Sequence, residues 1–169
     1  APVDFAPSVD VASPVLAQIL WNRGLKTTEE IQEFLEPSWE KHIHDAAQFR
    51  HMRSAVERVF RALEMGEKIT VHGDYDADGV TGSTVLITTL REIEKKLPAS
   101  EISESSRIDF YIPHRDKEGY GLHSATVPKL KERGTHLVIT VDCGIACVDE
   151  IALAKEVLKR WLNAFSGVD

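Results

Sequence analysis

The sequence has little cysteine, no long apolar run and no excess of positive charge, and each shortage removes a class of protein. Two cysteines, Cys143 and Cys147, are too few for a disulfide framework. They also fall short of the four ligands that a structural zinc site takes, so both read as buried, reduced thiols. No apolar stretch approaches the roughly 20 residues that span a bilayer. The first 14 residues lack the basic start and apolar centre of a secretory signal. The expectation is a cytoplasmic protein with no membrane partner.

The charge balance is 20 basic against 27 acidic residues, a net −7. A protein that grips a phosphate backbone usually presents a basic surface. An acidic chain with that role needs metal ions among its acids, or a basic surface in parts outside these 169 residues. The remaining composition, 43% hydrophobic and 28% charged, is that of a soluble globular protein. The length suits one medium domain with a small helical appendage. There is no internal repeat and no low-complexity tract.

Residues 13–35 read as two short helices. Ser13 and Pro14 open the first, Val15, Leu16, Ile19 and Leu20 recur at helical spacing, and Gly24 ends it. Thr27 and Glu30 form a capping-box pair for the second, which carries Ile31, Phe34 and Leu35 and stops at Pro37. Residues 36–48 look like a connector. We therefore divide the chain into a helical region and connector, residues 1–48, and an α/β domain, residues 49–169.

In the second part, Met52, Val56, Val59, Phe60 and Leu63 predict a helix that ends before Gly66. Three β-rich runs follow, at residues 68–72, 108–112 and 137–141. Between and after them lie helix-like segments. The first, residues 79–95, has Val85, Leu86, Thr89, Leu90 and Ile93 as its expected buried side. The second runs from a cap at Ser124 to Gly134, with Pro128 in its early part. The third carries Val148, Ile151, Ala152, Val157, Leu158, Trp161, Leu162 and Phe165 on its apolar side. Residues 98–106 form a polar loop. Strands alternating with helices imply βαβ units, hence an α/β fold with a parallel sheet flanked by helices. Ligands in such sheets bind beyond the C-terminal strand ends.

Two of those ends are acidic. The first strand runs into His72-Gly73-Asp74-Tyr75-Asp76-Ala77-Asp78-Gly79, and the third into Asp142-Cys143-Gly144. In a parallel sheet both lie on one edge, so Asp76, Asp78 and Asp142 can converge although distant in sequence. Clustered carboxylates repel strongly at neutral pH unless hard cations sit among them. Oxygen ligands suit Mg²⁺ or Mn²⁺, and a histidine such as His72 tilts the choice toward Mn²⁺. An Asp-Gly turn after a strand is common, so Asp142 alone has a plain structural reading. Three aspartates at alternate positions, Asp74, Asp76 and Asp78, do not read as a turn.

The stretch from His72 to Gly79 resembles the first motif of the DHH phosphoesterase superfamily, in which a histidine, three residues and Asp-x-Asp supply metal ligands. Val141-Asp142-Cys143-Gly144-Ile145 is similar to the family's second metal-binding motif. Ile112-Pro113-His114-Arg115 and Glu118-Gly119-Tyr120-Gly121-Leu122 resemble a segment typical of the RecJ family of single-strand-specific 5′-to-3′ exonucleases, as do Ser13-Pro14 and the Asn22-Arg23-Gly24 turn.

The resemblance implies hydrolysis of single-stranded DNA with two Mn²⁺ or Mg²⁺ ions, in repair or recombination and beside replication or repair proteins. It implies metal ligation by His72, Asp76, Asp78 and Asp142, with Asp74 orienting a ligand or the attacking water. The start of the helix at Gly79, Gly82 and Ser83 is the candidate phosphate cradle. Beside those positions, His114 and Arg115 are candidates for a phosphate contact and Tyr120 for stacking on a base. The family also carries an Asp-His-His motif on the next strand and a further aspartate, and no Asp-His-His run occurs here. The closing Gly167-Val168-Asp169 resembles the turn that opens that strand, so the expectation is a chain cut at that point, with little nuclease activity of its own.

Three rivals stand beside this reading. Asp76-Ala77-Asp78-Gly79-Val80 fits the signature of haloacid-dehalogenase-like phosphatases, with Asp76 as nucleophile and Asp78 as acid/base, but the acidic pair that fold needs later is missing. A non-catalytic replication scaffold with a decayed site is the second, and the intact Asp74-Asp76-Asp78 set argues against it. The third is a relative in the same superfamily acting on pyrophosphate, cyclic dinucleotides or very short RNA.

Overall fold

The computed structural model describes residues 13–97 and 106–158, and the expectations for residues 1–12, 98–105 and 159–169 lie outside them. These include Trp161, Leu162, Phe165 and the closing Gly-Val-Asp turn. The chain divides after Ala46 into two compact units.

The first unit contains α1 (Pro14–Asn22), α2 (Thr28–Leu35) and the short α3 (Trp39–His42). Thr27 and Glu30 make the full capping box, each side chain bonding the other's backbone N–H. Pro14 occupies the first helical position, but the Ser13 hydroxyl makes no capping bond. The connector is less irregular than its sequence suggests, because Ser38 caps α3 through the Lys41 N–H. Only Ala17, Leu20 and Ile31 are buried in these helices, while Val15, Leu16, Ile19, Phe34 and Leu35 are exposed.

The second unit is an α/β domain with a three-stranded, all-parallel sheet in the order β2-β1-β3. Its strands are β1 (Ile69–His72), β2 (Ile108–Tyr111) and β3 (Leu137–Thr140). Around them stand α4 (Met52–Glu64), α5 (Ala77–Glu94), α6 (Thr126–Glu132) and α7 (Val148–Leu158). The register pairs His72 with Tyr111 on one side and with Thr140 on the other. All three strands therefore end level, on one edge. Strands β1 and β3 are buried along their whole length, as expected when helices cover both faces. Ile69, Val71, Leu137 and Ile139 pack with Ala62 and Leu63 of α4 and Ile87 and Leu90 of α5. Each fully buried aliphatic side chain of this kind contributes about 1.5–3 kcal/mol. Arg58 of α4 meets the buried Glu67 at 2.6 Å and ties the helix to the approach of β1.

Two helices are rotated from the expected face. In α4 the inward stripe is Ala55, Val59, Ala62 and Leu63, while Val56 and Phe60 point outward. In α5 the inward stripe is Gly79, Ser83, Ile87 and Leu90, with Leu86 and Ile93 beside it, and Val85 and Thr89 are exposed. Hydrophobicity misleads here because the smallest residues, Gly79 and Ser83, face the most crowded neighbour. Thr81, Thr84 and Thr89 return their hydroxyls to carbonyls four residues back, which suits an outward helix face. Ser124 does not cap α6. Its hydroxyl bonds Glu150, and Ala125 takes the N-cap position. Pro128 sits in the first turn of α6, where its missing N–H breaks no bond. In α7 the buried residues are Ile151 and Ala154. No helix among the described residues is long and apolar enough to cross a membrane.

Candidate metal centre

The site is built by two loops that leave the same sheet edge. After His72, the chain passes Gly73 and Asp74 and enters α5 at Asp76, whose Oδ1 accepts the Gly79 N–H at 3.0 Å and caps the helix. After Thr140, the Val141 N–H bonds the His72 carbonyl at 2.9 Å, which brings Asp142 alongside. Asp142 holds a left-handed backbone, φ 58°, which aspartate tolerates better than most residues. The carboxylate oxygens of Asp74, Asp76 and Asp142 lie within 4.8 Å of one another.

The surroundings of these three acids differ. Asp74 is almost fully buried, and its Oδ1 has no hydrogen-bond partner. Asp142 is held above the ordinary carboxylate range, first by desolvation and then by the charges of Asp76, Asp78 and Asp74. The physical meaning is an excess of negative charge at this rim. Asp78, in the first turn of α5, stands outside the three-carboxylate group and acts on Asp142 through its charge.

His72 also stands outside that group. It is fully buried, and burial pushes its imidazole down to about 4, so the ring is neutral at pH 7. Its Nδ1 lies 3.6 Å from Cys143 Sγ, and its Nε2 has no partner. The Cys143 thiol is pushed up to about 12, chiefly by burial, and stays protonated. Ser83 Oγ is likewise buried without a partner. A buried polar atom left unpaired is costly, and three of them beside clustered acids fit a site that takes cations.

The glycines show how tightly the first loop is packed. A Cβ on Gly79 would stand 2.5–2.7 Å from the backbone of Asp74, and one on Gly73 would meet Ser83 Oγ at 2.2 Å. Gly79 thus serves loop-on-helix packing, and its N–H is already taken by Asp76. Gly82 is close only to a Val141 side-chain carbon.

Beyond the acids, the exposed Tyr120 donates its hydroxyl to the Asp142 carbonyl at 3.0 Å, so its ring stands beside the rim. The Arg115 guanidinium lies over the Tyr75 ring, 5.4 Å from its centroid. The His114 ring accepts the Asp116 N–H. Residues that sequence reasoning missed are Tyr111, whose ring stacks on His72, and Glu118, which bonds the Tyr111 hydroxyl. Glu118 opens the Glu118–Leu122 stretch quoted above, but no sequence signal gives the role of either residue, because their partners are brought in by strand pairing and by α6.

Acids thus cluster at the carboxyl edge of a parallel sheet, next to a neutral buried histidine, and residues 68–161 match the DHH family, N-terminal domain. The chain belongs to that family. Among curated proteins it is 40% identical over 144 residues to the single-stranded-DNA-specific exonuclease RecJ of Bacillus subtilis, covering 85% of this chain and 17% of that protein. Identity to RecJ of Thermus thermophilus is 33% over 132 residues, and to RecJ of Escherichia coli 30% over 135 residues. The chain spans 17–20% of the length of these relatives. The fold is similar to the crystal structure of exonuclease RecJ bound to manganese, with TM-score 0.53 and 31% identity over 72% of this chain and 29% of that one. It is also similar to RecJ of Thermus thermophilus in complex with Mn²⁺, with TM-score 0.50 and 28% identity over 83% and 17% of the two chains.

Proposed function

We propose that residues 49–169 form part of the catalytic domain of a RecJ-type exonuclease, which hydrolyses single-stranded DNA from the 5′ end with Mn²⁺ or Mg²⁺, in DNA repair or recombination. The observation that carries this reading is the meeting of Asp74, Asp76 and Asp142 from two distant strand ends. Asp76, Asp78 and Asp142, with the neutral His72, would hold the ions. When bound, the ions would offset charge on the phosphodiester and acidify a coordinated water.

The chain's own residues prepare the rest. Asp74, buried behind the rim with one free oxygen, would accept a hydrogen bond from a ligand or from the attacking water. Burial of His72 keeps its ring unprotonated, so a lone pair is available for coordination. Arg115, braced on Tyr75, and His114 would meet a phosphate of the bound strand; of the candidate cradle Gly82 alone is not buried, since Gly79 and Ser83 pack inward. Tyr120, anchored by its hydroxyl, would offer its exposed ring to a base. In the aspartyl-phosphatase alternative Asp76 would be a free nucleophile, whereas its Oδ1 here caps α5.

Because no Asp-His-His run is present, the 169-residue chain by itself should bind manganese weakly and degrade DNA slowly or not at all. The test is Mn²⁺ calorimetry, with degradation of 5′-labelled single-stranded DNA followed alongside. We expect weak binding that Asp76→Asn and Asp142→Asn abolish. Equal binding by wild type and both variants, or trapping of a covalent phosphate on Asp76, would overturn the reading.

A further inference from the structure

Glu118 lies outside the acidic rim yet holds more partners than any acid in it. Its Oε1 accepts the Tyr111 hydroxyl and, at 2.6 Å, Lys129 Nζ. Its Oε2 accepts the His114 N–H at 2.8 Å. One carboxylate thus ties together the end of β2, the helix α6 and the loop that carries His114 and Arg115. The loop is closed further by the Glu118 N–H, which bonds the His114 carbonyl at 2.8 Å.

Tyr111 passes this restraint to the site. It pairs with His72 in the parallel register, and the two rings stack with centroids 5.4 Å apart and planes 15° from parallel. Arg133 of the α6 C-cap also approaches the Tyr111 ring, 5.2 Å from its centroid. His72 has no hydrogen bond at Nε2 and only a weak sulfur contact at Nδ1. Its ring orientation therefore depends on packing, and Tyr111 is the ring that packs on it.

We propose that Glu118 is a positioning residue: by gripping the Tyr111 hydroxyl and the His114 amide, it holds the His72 ring and the His114–Arg115 loop in fixed relation across the site. Its effect on metal binding rests on the metal-centre reading above, but its effect on the His72 ring does not.

The experiment is long-range ¹H–¹⁵N spectroscopy of the histidine rings in the metal-free 169-residue chain, at neutral pH. Wild type should give one sharp set of His72 signals displaced by the Tyr111 ring current. Glu118→Ala should broaden or move those signals and shift the amides of His114 and Arg115, while the amides of β3 stay in place. Glu118→Gln keeps a single acceptor oxygen: turned to the Tyr111 hydroxyl and Lys129 it should restore most of the His72 signals, while its NH2 group, a donor facing the His114 N–H, leaves the His114 amide shifted. Should Glu118→Ala not fold, Tyr111→Phe keeps the ring and removes only the hydroxyl bond, and it should broaden His72 alone. His72 signals unchanged in a folded Glu118→Ala or Tyr111→Phe chain would overturn the proposal. Mn²⁺ calorimetry on the same variants separates the two readings. Failure of wild type to bind sinks the metal centre, while the ring signals still decide the role of Glu118.

Discussion

The two acidic strand exits face the same edge but are held in opposite ways. The exit of β1 is packed until no atom can be added. Gly73 and Gly79 touch Ser83 and the Asp74 backbone, and Asp74 is buried behind them. The exit of β3 leaves Asp142 exposed, and its shape comes from backbone conformation. Asp142 and Gly144 both take positive φ, and one hydrogen bond from Tyr120 secures the Asp142 carbonyl. One exit is thus a fixed wall, and the other carries the acid whose charge is least comfortable. A cation drawn to this rim would gain most by neutralising the second against the first.

The hardest blow to this contrast should come at Gly79. Helix propensity favours alanine over glycine by about 1 kcal/mol. In Gly79→Ala, however, the new Cβ meets backbone atoms at 2.5–2.7 Å that cannot rotate away. Overpacking should win, at a net cost of about 3 kcal/mol in urea unfolding. Gly82→Ala is the control on the same helix. Its one close neighbour is a Val141 side-chain carbon at 2.9 Å, which can give, so its stability should stay within about 1 kcal/mol of wild type. Equal costs at the two positions would mean that the first exit is no tighter than its surroundings.

The second exit should yield less. Gly144→Ala combines φ +97° with a contact to Thr140 Oγ1 at 2.8 Å, and should cost about 2 kcal/mol by the same measurement. Asp142→Asn tests charge without touching conformation, since asparagine also accepts positive φ. Removing that charge relieves the repulsion from Asp76, Asp78 and Asp74, so the metal-free chain should melt higher. Manganese affinity should fall at least about tenfold, which calorimetry reads directly. A variant that melts lower and still binds manganese would place the cation elsewhere.

What the sequence revealed follows from which signals are local. The strands, the Thr27–Glu30 capping box and the acids after β1 and β3 lie in short windows with strong chemistry, and the structure brings the two acidic exits to one edge. The rotation of α5 was not legible, because it is fixed by Gly79 against Asp74 and not by the apolar residues that set the expected face. The grouping was only partly legible. Asp74 joins Asp76 and Asp142, while Asp78 and His72 stand beside them, a distinction that depends on where the helix cap falls. The Tyr111–Glu118–Lys129 cluster was hidden because it unites β2, a loop and α6, and no spacing rule links those three.

Acid titration should sharpen the comparison most finely, because three groups pull on stability and one of them pulls with the opposite sign. His72 is lowered from 6.5 to about 4, so its contribution is present above 6.5 and lost as pH falls through about 4. Glu118 is lowered from 4.5 to about 2 by Lys129, Tyr111 and the His114 amide, so its contribution is present above 4.5 and lost as pH falls through about 2. Asp142 has the opposite sign. Its raised value means stability that is present below the ordinary 3.8 and lost as pH rises through the folded value. In metal-free urea titrations, Glu118→Gln should therefore flatten the loss of stability on acidification below pH 4.5, whereas Asp142→Asn should remove this group's loss of stability as pH rises above 3.8. Identical pH profiles for the two variants would erase the distinction between a relieved rim acid and a clamped one.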